Sequence, residues 1–326
     1  MESEADEVLF EFAAMNFRLY KSGRVDHQPV LVPAGVNDDA SGVASKDVVL
    51  DAGTSLSVRL FLPKLKLQDP SPSPSNKKLP VLVYFHGGGF IIGSAKSATY
   101  HSYVASLAAA AGVLAVSVDY RLAPDHPVPA AYDDCWAALL WASSAQDDDW
   151  LAAHGDASRV FVAGDSAGGN IVHNLLVKAS SVSGSGTGSG TKIIEGAVLL
   201  HPFFVGSTAV EGESESAIAI TAKMWAVACP DAAGGADDPW INPTAPGAAP
   251  ALEGLGCERM LVCAAEEDWL AARDRAYYDA VASSAWPGSA AWLESEREGH
   301  VFFLFNPECE RAKQLMERVV AFIAGA

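Results

Sequence analysis

Five short apolar runs, at residues 81–85, 113–118, 160–163, 194–200 and 260–264, restrict this chain to a narrow set of folds. None alternates apolar with polar residues as a half-exposed strand does, and none is long enough for a buried helix. Such runs read as strands covered on both faces, the condition of a parallel sheet. Stretches with helical character separate several of them, at 98–111, 131–142, 170–179 and 271–285. Strand and helix therefore alternate, which predicts an α/β architecture with helices on both faces of one sheet. Two strands are expected upstream, at 46–51 and 56–62, joined by the turn Ala52-Gly53-Thr54. In the second, Leu56, Val58, Leu60 and Leu62 alternate with Ser57, Arg59 and Phe61, the period of a strand with two distinct faces. A final extended stretch is expected at 291–296. Half of the 326 residues are apolar, enough for a large core around a single sheet, and this excludes disorder as a description of the whole.

Elsewhere the rhythm breaks. The Pro/Ser segment 70–74 and the Ser/Gly tract 180–190 read as loops within the domain, and no internal repeat is present. Near the start, Val8, Phe12, Met15 and Leu19 recur at helical spacing, which predicts an amphipathic helix. Between His201 and Leu261 lies an irregular insertion with Pro230, Pro239, Pro243, Pro246 and Pro250. A long insertion of this kind between sheet strands is usually functional. Together, about 1–45 and about 202–250 are expected to form a cap over the carboxyl ends of the strands in an otherwise single domain, 1–326.

Forty acidic against 22 basic side chains give a formal charge of −18. That field repels nucleic acid and anionic membrane surfaces, and no run of Lys or Arg offsets it. Cys135, Cys229, Cys257, Cys263 and Cys309 are scattered, without a CxxC pair, and suit neither a zinc site nor a disulfide framework. The opening Met1-Glu2-Ser3-Glu4-Ala5-Asp6-Glu7 lacks the order of a secretory signal, and no apolar stretch is long enough to span a bilayer. A cytoplasmic protein with reduced thiols is expected. The oligomeric state is left open, a homodimer included.

The segment Val162-Ala163-Gly164-Asp165-Ser166-Ala167-Gly168-Gly169-Asn170 places G-x-S-x-G between a strand and a helix, the context that motif requires. The strand must turn sharply there, leaving Ser166 on strained backbone while Gly164 and Gly168 allow close approach. By chance alone the motif arises in Gly-rich chains, but a second signal accompanies it. His86-Gly87-Gly88-Gly89-Phe90 follows the strand 81–85. Acyl transfer needs donors aimed in advance at a developing oxyanion, and backbone N–H groups serve best. The amides of Gly88, Gly89 and Ala167 are assigned that role. Phosphate binding is the rival use of a Gly-rich turn, but neither a P-loop nor G-x-G-x-x-G is present.

With Ser166 as nucleophile, the partners should follow in the order Ser, acid, His. His300 is the last histidine in the chain and stands alone after Met260, in a loop after the final extended stretch. The acid should follow the strand 260–264. Asp268 is preferred, while Glu266, Glu267 and Asp274 compete on chemistry alone. No metal or organic cofactor is required by this set, and the partner is a small-molecule ester.

These motifs, with Asp119-Tyr120-Arg121-Leu122-Ala123-Pro124, Pro129-Ala130-Ala131-Tyr132-Asp133-Asp134 and Gly299-His300-Val301-Phe302, resemble those of the plant carboxylesterases among the hormone-sensitive-lipase-like α/β-hydrolases. The resemblance implies an eight-stranded, mostly parallel sheet with a cap. It also supports Asp268, because the family's acid precedes a hydrophobic pair like Trp269-Leu270. Asp125 stands where the family commonly has Glu. The gibberellin receptor is similar but lacks the histidine, and 2-hydroxyisoflavanone dehydratases typically carry Thr for the nucleophilic Ser. With Ser166, His300 and three glycines all present, the resemblance implies hydrolysis of short-to-medium acyl or aryl esters. Some relatives pass the acyl group to an internal hydroxyl and form a lactone, an outcome that depends on pocket shape.

Overall fold

A computed structural model describes residues 7–12, 17–35, 42–64, 78–144, 148–183 and 194–325. In chain order the elements begin with β1 (Val8–Phe12), β2 (Phe17–Tyr20), β3 (Val25–His27), β4 (Val43–Asp51), β5 (Leu56–Pro63) and β6 (Leu79–Phe85). Then come α1 (Ala98–Ala111), β7 (Leu114–Asp119), α2 (Ala130–Ser144), α3 (Asp149–His154), β8 (Gly155–Asp165), α4 (Ala167–Ser183) and β9 (Gly196–Leu200). The last part holds α5 (Glu215–Ala228), α6 (Ala249–Glu253), β10 (Arg259–Ala265), α7 (Ala271–Ser283), β11 (Ser289–Ser295), α8 (Phe302–Phe305) and α9 (Glu310–Ala324).

Eight strands form one sheet in the order β11-β10-β9-β8-β6-β7-β5-β4. The pairs from β7 through β6, β8, β9 and β10 to β11 are parallel, while β5 is antiparallel to both β4 and β7. All five apolar runs lie in this parallel part. Their two-sided burial has a direct cause. Val81, Val83 and Phe85 pack with α2 and α4 on one face, whereas Leu82 and Tyr84 pack with α1 and α9 on the other. The layered α/β sheet expected from the sequence is what forms. The first helix ends at Gly112 in the left-handed region (φ 61°), whose N–H caps Ala108 O, and it starts on the Ser97 side chain.

The amino-terminal helix does not form. Val8–Phe12, Phe17–Tyr20 and Val25–His27 make a separate three-stranded antiparallel sheet, β1-β2-β3. Phe17 and Leu19 are buried and Arg18 between them is exposed, so the operative period is two, not 3.6. Segments this short and this rich in Phe, Val and Tyr are stabilised by cross-strand pairing, such as Phe10 with Leu19, which spacing along one segment does not reveal. Met15 and the Pro/Ser segment 70–74 lie outside the described residues, as does most of the tract 180–190, whose first residues end α4. The insertion after β9 carries α5, a 3₁₀ turn at Gly235–Asp237 and α6. None of the five cysteines forms a disulfide.

Candidate active site

Strands β8, β9, β10 and β11 end side by side, and the loops that leave them hold the functional side chains. At the end of β8 the chain turns into α4 within one residue. Ser166 takes φ 50°, a left-handed conformation rarely adopted by a residue with a side chain. The turn is held by Ser166 N–H donating to Leu200 O at 2.9 Å, and by Ser166 O accepting from Phe203 N–H at 2.8 Å. A Cβ on Gly168 would stand 1.9 Å from Phe85 O, so only glycine lets the helix approach β6 this closely. The glycines around Ser166 are thus demanded by packing, as expected.

His300 Nε2 lies 3.0 Å from Ser166 Oγ, and His300 Nδ1 lies 2.6 Å from Asp268 Oδ2. Asp268 accepts the Leu270 N–H on its other oxygen at 2.9 Å. The competing carboxylates are elsewhere. Glu266 is exposed and accepts the Arg297 N–H, Glu267 is exposed, and Asp274 is buried without a hydrogen-bond partner among the described residues. Burial favours the neutral form of Asp268, but the charge and hydrogen bond of His300 prevail and hold its carboxyl well below the usual range. For His300, burial pulls the imidazole pKa down, and the adjacent Asp268 carboxylate outweighs it, leaving the ring more basic than free imidazole. The arrangement therefore holds a hydroxyl, a proton acceptor and a fixed anion in line.

The Gly-rich turn faces the same hydroxyl. Gly88 (φ 115°) and Gly89 (φ 62°) line the cavity with Ser166, and a Cβ on Gly88 would fall 2.1 Å from Ile92 O. Among the described residues, the N–H groups of Gly88, Gly89 and Ala167 donate to no protein acceptor. Free amides at the start of α4 and in the turn suit a developing negative charge.

Several residues at the site have no role assigned from the sequence. Asp165, fully buried before the nucleophile, accepts from Tyr84 OH at 2.7 Å, Tyr100 OH at 2.9 Å and Gly87 N–H at 3.1 Å. It ties the Gly-rich turn to the elbow. Burial pushes its carboxyl up to about 6, against the two tyrosine hydrogen bonds. His201 is buried behind Asp268, and its position at the carboxyl end of a predicted strand was the one clue to it. Trp269 stacks on the His300 ring at 5.4 Å and 24°, and Phe10 meets Trp269 edge-on at 6.0 Å. Phe10 and Phe17 from the amino-terminal sheet and Met224 from α5 close the cavity, which measures about 530 Å³ with its open mouth. Among the described residues, no Lys or Arg lines it.

His201, Asp268 and His300 are also the one set of donor atoms, among the described residues, close enough to share a metal ion. The 2.6 Å contact between two of those atoms fits an acid–base pair and leaves no space for an ion between them.

A family model described as the alpha/beta hydrolase fold matches residues 82–304. The chain belongs to that family. Among its relatives, tuliposide A-converting enzyme b1, amyloplastic, of Tulipa gesneriana is 44% identical over 94% of this chain and 78% of its own length. Probable carboxylesterase 13 of Arabidopsis thaliana is 40% identical over 94% of this chain and 95% of its own. 2-Hydroxyisoflavanone dehydratase of Glycine max is 40% identical over 98% and 99% of the two chains. Among solved structures, an esterase of Pyrobaculum calidifontis superposes with a TM-score of 0.67 at 26% identity, covering 86% of this chain and 84% of that one. No helix among the described residues is long and apolar enough to cross a membrane.

Proposed function

We propose that the protein is a serine carboxylic-ester hydrolase acting on short-to-medium acyl or aryl esters of small, uncharged metabolites or xenobiotics. The observation that carries this reading is the unbroken line from Asp268 through His300 to Ser166 Oγ, at 2.6 and 3.0 Å, on the wall of an apolar cavity. His300 Nε2 takes the Ser166 proton as Oγ bonds to the ester carbon. The carbonyl oxygen becomes an oxyanion facing the amides of Gly88, Gly89 and Ala167. The imidazolium, steadied by Asp268, then protonates the departing alkoxide, leaving an acyl-enzyme and an alcohol. Water, deprotonated by His300, attacks the acyl carbon, and Ser166 leaves as the alcohol with the same proton. Every step is served by side chains and amides of this chain.

Among the described residues no Lys or Arg lines the cavity, which with the formal charge of −18 disfavours anionic substrates. The amino-terminal sheet and α5 act as the cap in this reading, with Phe10, Phe17 and Met224 shaping the acyl or alcohol pocket. The 44% identity to proteins named for converting tuliposide A supports a second outcome at the same serine, in which a hydroxyl of the acyl group replaces water and a lactone is released. Five cysteines outside any disulfide suit a reducing compartment. Cytoplasm is our reading, and plastid is the rival that the tulip relatives' names raise, which a fluorescent fusion separates.

The test is turnover of p-nitrophenyl acetate and butyrate by wild type and Ser166→Ala, with product analysis by mass spectrometry. Loss of the side chain is expected to lower kcat on the order of 10⁶-fold. Equal rates in the two proteins would end this reading. Free acid marks hydrolysis and lactone marks internal transfer.

A further inference from the structure

His201 ends β9 in the left-handed region, at φ 49°, with none of its surface exposed. Its main-chain N–H donates to Cys263 O of β10 at 2.7 Å, which fixes the residue between the loops that carry acid and base. The ring Nδ1 accepts the N–H of Val301, the residue next to His300, at 3.0 Å. The same atom lies 3.3 Å from Asp268 Oδ2, the oxygen that binds His300. One nitrogen cannot accept from Val301 and donate to Asp268 at once. With the Val301 bond made, the ring's proton sits on Nε2, which is buried without a hydrogen-bond partner among the described residues, and Asp268 Oδ2 is left to His300. Phe302 and Phe303 pack on the ring at 5.9 and 5.6 Å and fix its plane. Burial in this apolar surround favours the neutral ring.

Resting on the proposed hydrolase reading, we infer that His201 is a positioning residue, a neutral brace that holds the main chain beside His300 so that the base keeps its bond to Asp268. It touches neither substrate nor nucleophile. Loss of the brace frees a buried N–H at Val301, lets the 300–301 loop shift, and lengthens the contact that makes His300 basic. The groups facing His300 are Asp268 from the loop after β10, Asp165 and Ser166 from the end of β8, and His201 itself. Only the Asp268 contact is expected to change.

The experiment compares wild type, H201F and H201N, each normalised to active sites titrated with a fluorophosphonate. Asparagine keeps an acceptor near the Nδ1 position and tolerates the left-handed backbone. H201F is expected to lose kcat by about 10-fold to 10²-fold with KM within about twofold, consistent with a misplaced catalytic group. The acid limb of its kcat/KM profile should move to lower pH, and H201N should recover most of both changes. A folded H201F with wild-type kcat, an unmoved limb, or an H201N as impaired as H201F overturns the inference. Should H201F fail to fold, H201A is measured in its place with the same expectations. Ser166→Ala separates the two levels, because wild-type activity that survives it sinks the hydrolase reading itself.

Discussion

Two carboxylates are buried on opposite flanks of His300, and they are treated differently. Asp268 is bonded by the His300 imidazole, which can carry positive charge, and it stays ionised well below the ordinary carboxylate range. Asp165 is bonded by phenols and one amide, which bring no charge, and the His300 charge acts on it less than those tyrosine hydrogen bonds do, so burial pushes it up to about 6. Both are anchored by hydrogen bonds at 2.6–3.1 Å, so the number of donors does not explain the difference. What differs is the charge of the partner. Hydrogen bonds from neutral groups offset only part of the cost of burying an anion, whereas a partner able to become a cation offsets the rest. One carboxylate is thereby suited to stabilise an imidazolium, and the other to hold backbone in place.

The sharpest way to break this comparison is to neutralise the first carboxylate. Asp268→Asn keeps the shape but cannot stabilise the imidazolium, and its amide favours the wrong tautomer of His300. By analogy with other triads, kcat should fall on the order of 10⁴-fold. Steady-state kinetics on p-nitrophenyl butyrate measures this. A loss below tenfold would mean that the anion is not needed on that flank.

How far these two flanks were legible in the sequence differs for physical reasons. Ser166, Gly88, Gly89 and Ala167 were readable because a tight turn and an exposed amide are properties of adjacent residues. His300 followed from chain order, since one histidine remained after β10. Asp268 needed more, because four carboxylates lie within reach along the chain and only the fold brings one of them to the imidazole. Asp165 stood in plain view beside the serine, but its partners Tyr84 and Tyr100 come from a different strand and a helix. His201 likewise acts through Val301, 100 residues away. The amino-terminal stripe misled because four apolar positions fit helical spacing while the real partner of each strand was another strand. The sheet itself was legible because two-sided burial leaves an unmistakable apolar run.

The second flank is sharpened by Asp165→Asn. The carboxamide oxygen can keep Tyr84 and Gly87, but the charge is lost and an NH₂ faces Tyr100. A loosened turn should lower kcat by about 10-fold to 10²-fold. The pH profile carries the more specific expectation. The proposed mechanism needs neutral His300, whose pKa is raised, so the wild-type acid limb should lie above the free imidazole value of about 6.5. Asp165 contributes to that elevation, and it takes up its own proton near pH 6. Protonating Asp165 removes that contribution and favours neutral His300, so below pH 6 the wild-type limb should be shallower than a single protonation gives. The variant should show a one-proton limb displaced to lower pH. An unchanged limb would separate Asp165 from the electrostatics of the base.

A third buried carboxylate supplies the case with no donor at all, and the smallest effect. Asp274 on α7 is fully buried, neither oxygen has a hydrogen-bond partner among the described residues, and burial together with the Asp268 charge holds its pKa well above the ordinary value. The folded protein thus keeps a proton that the unfolded chain releases above a pH of about 4. Stability must then fall as pH rises from there towards the folded-state pKa, because the unfolded state binds fewer protons throughout that window. Asp274→Asn preserves the shape and removes this dependence. Its gain should be largest at pH 8, about 1 kcal/mol or a Tm increase of about 2–4 °C, and should vanish near pH 4. Melting curves at the two pH values decide the matter. A variant no more stable at pH 8 would mean that Asp274 is ionised and balanced by a positive partner, and that a buried carboxylate here needs no cationic neighbour in view to keep its charge.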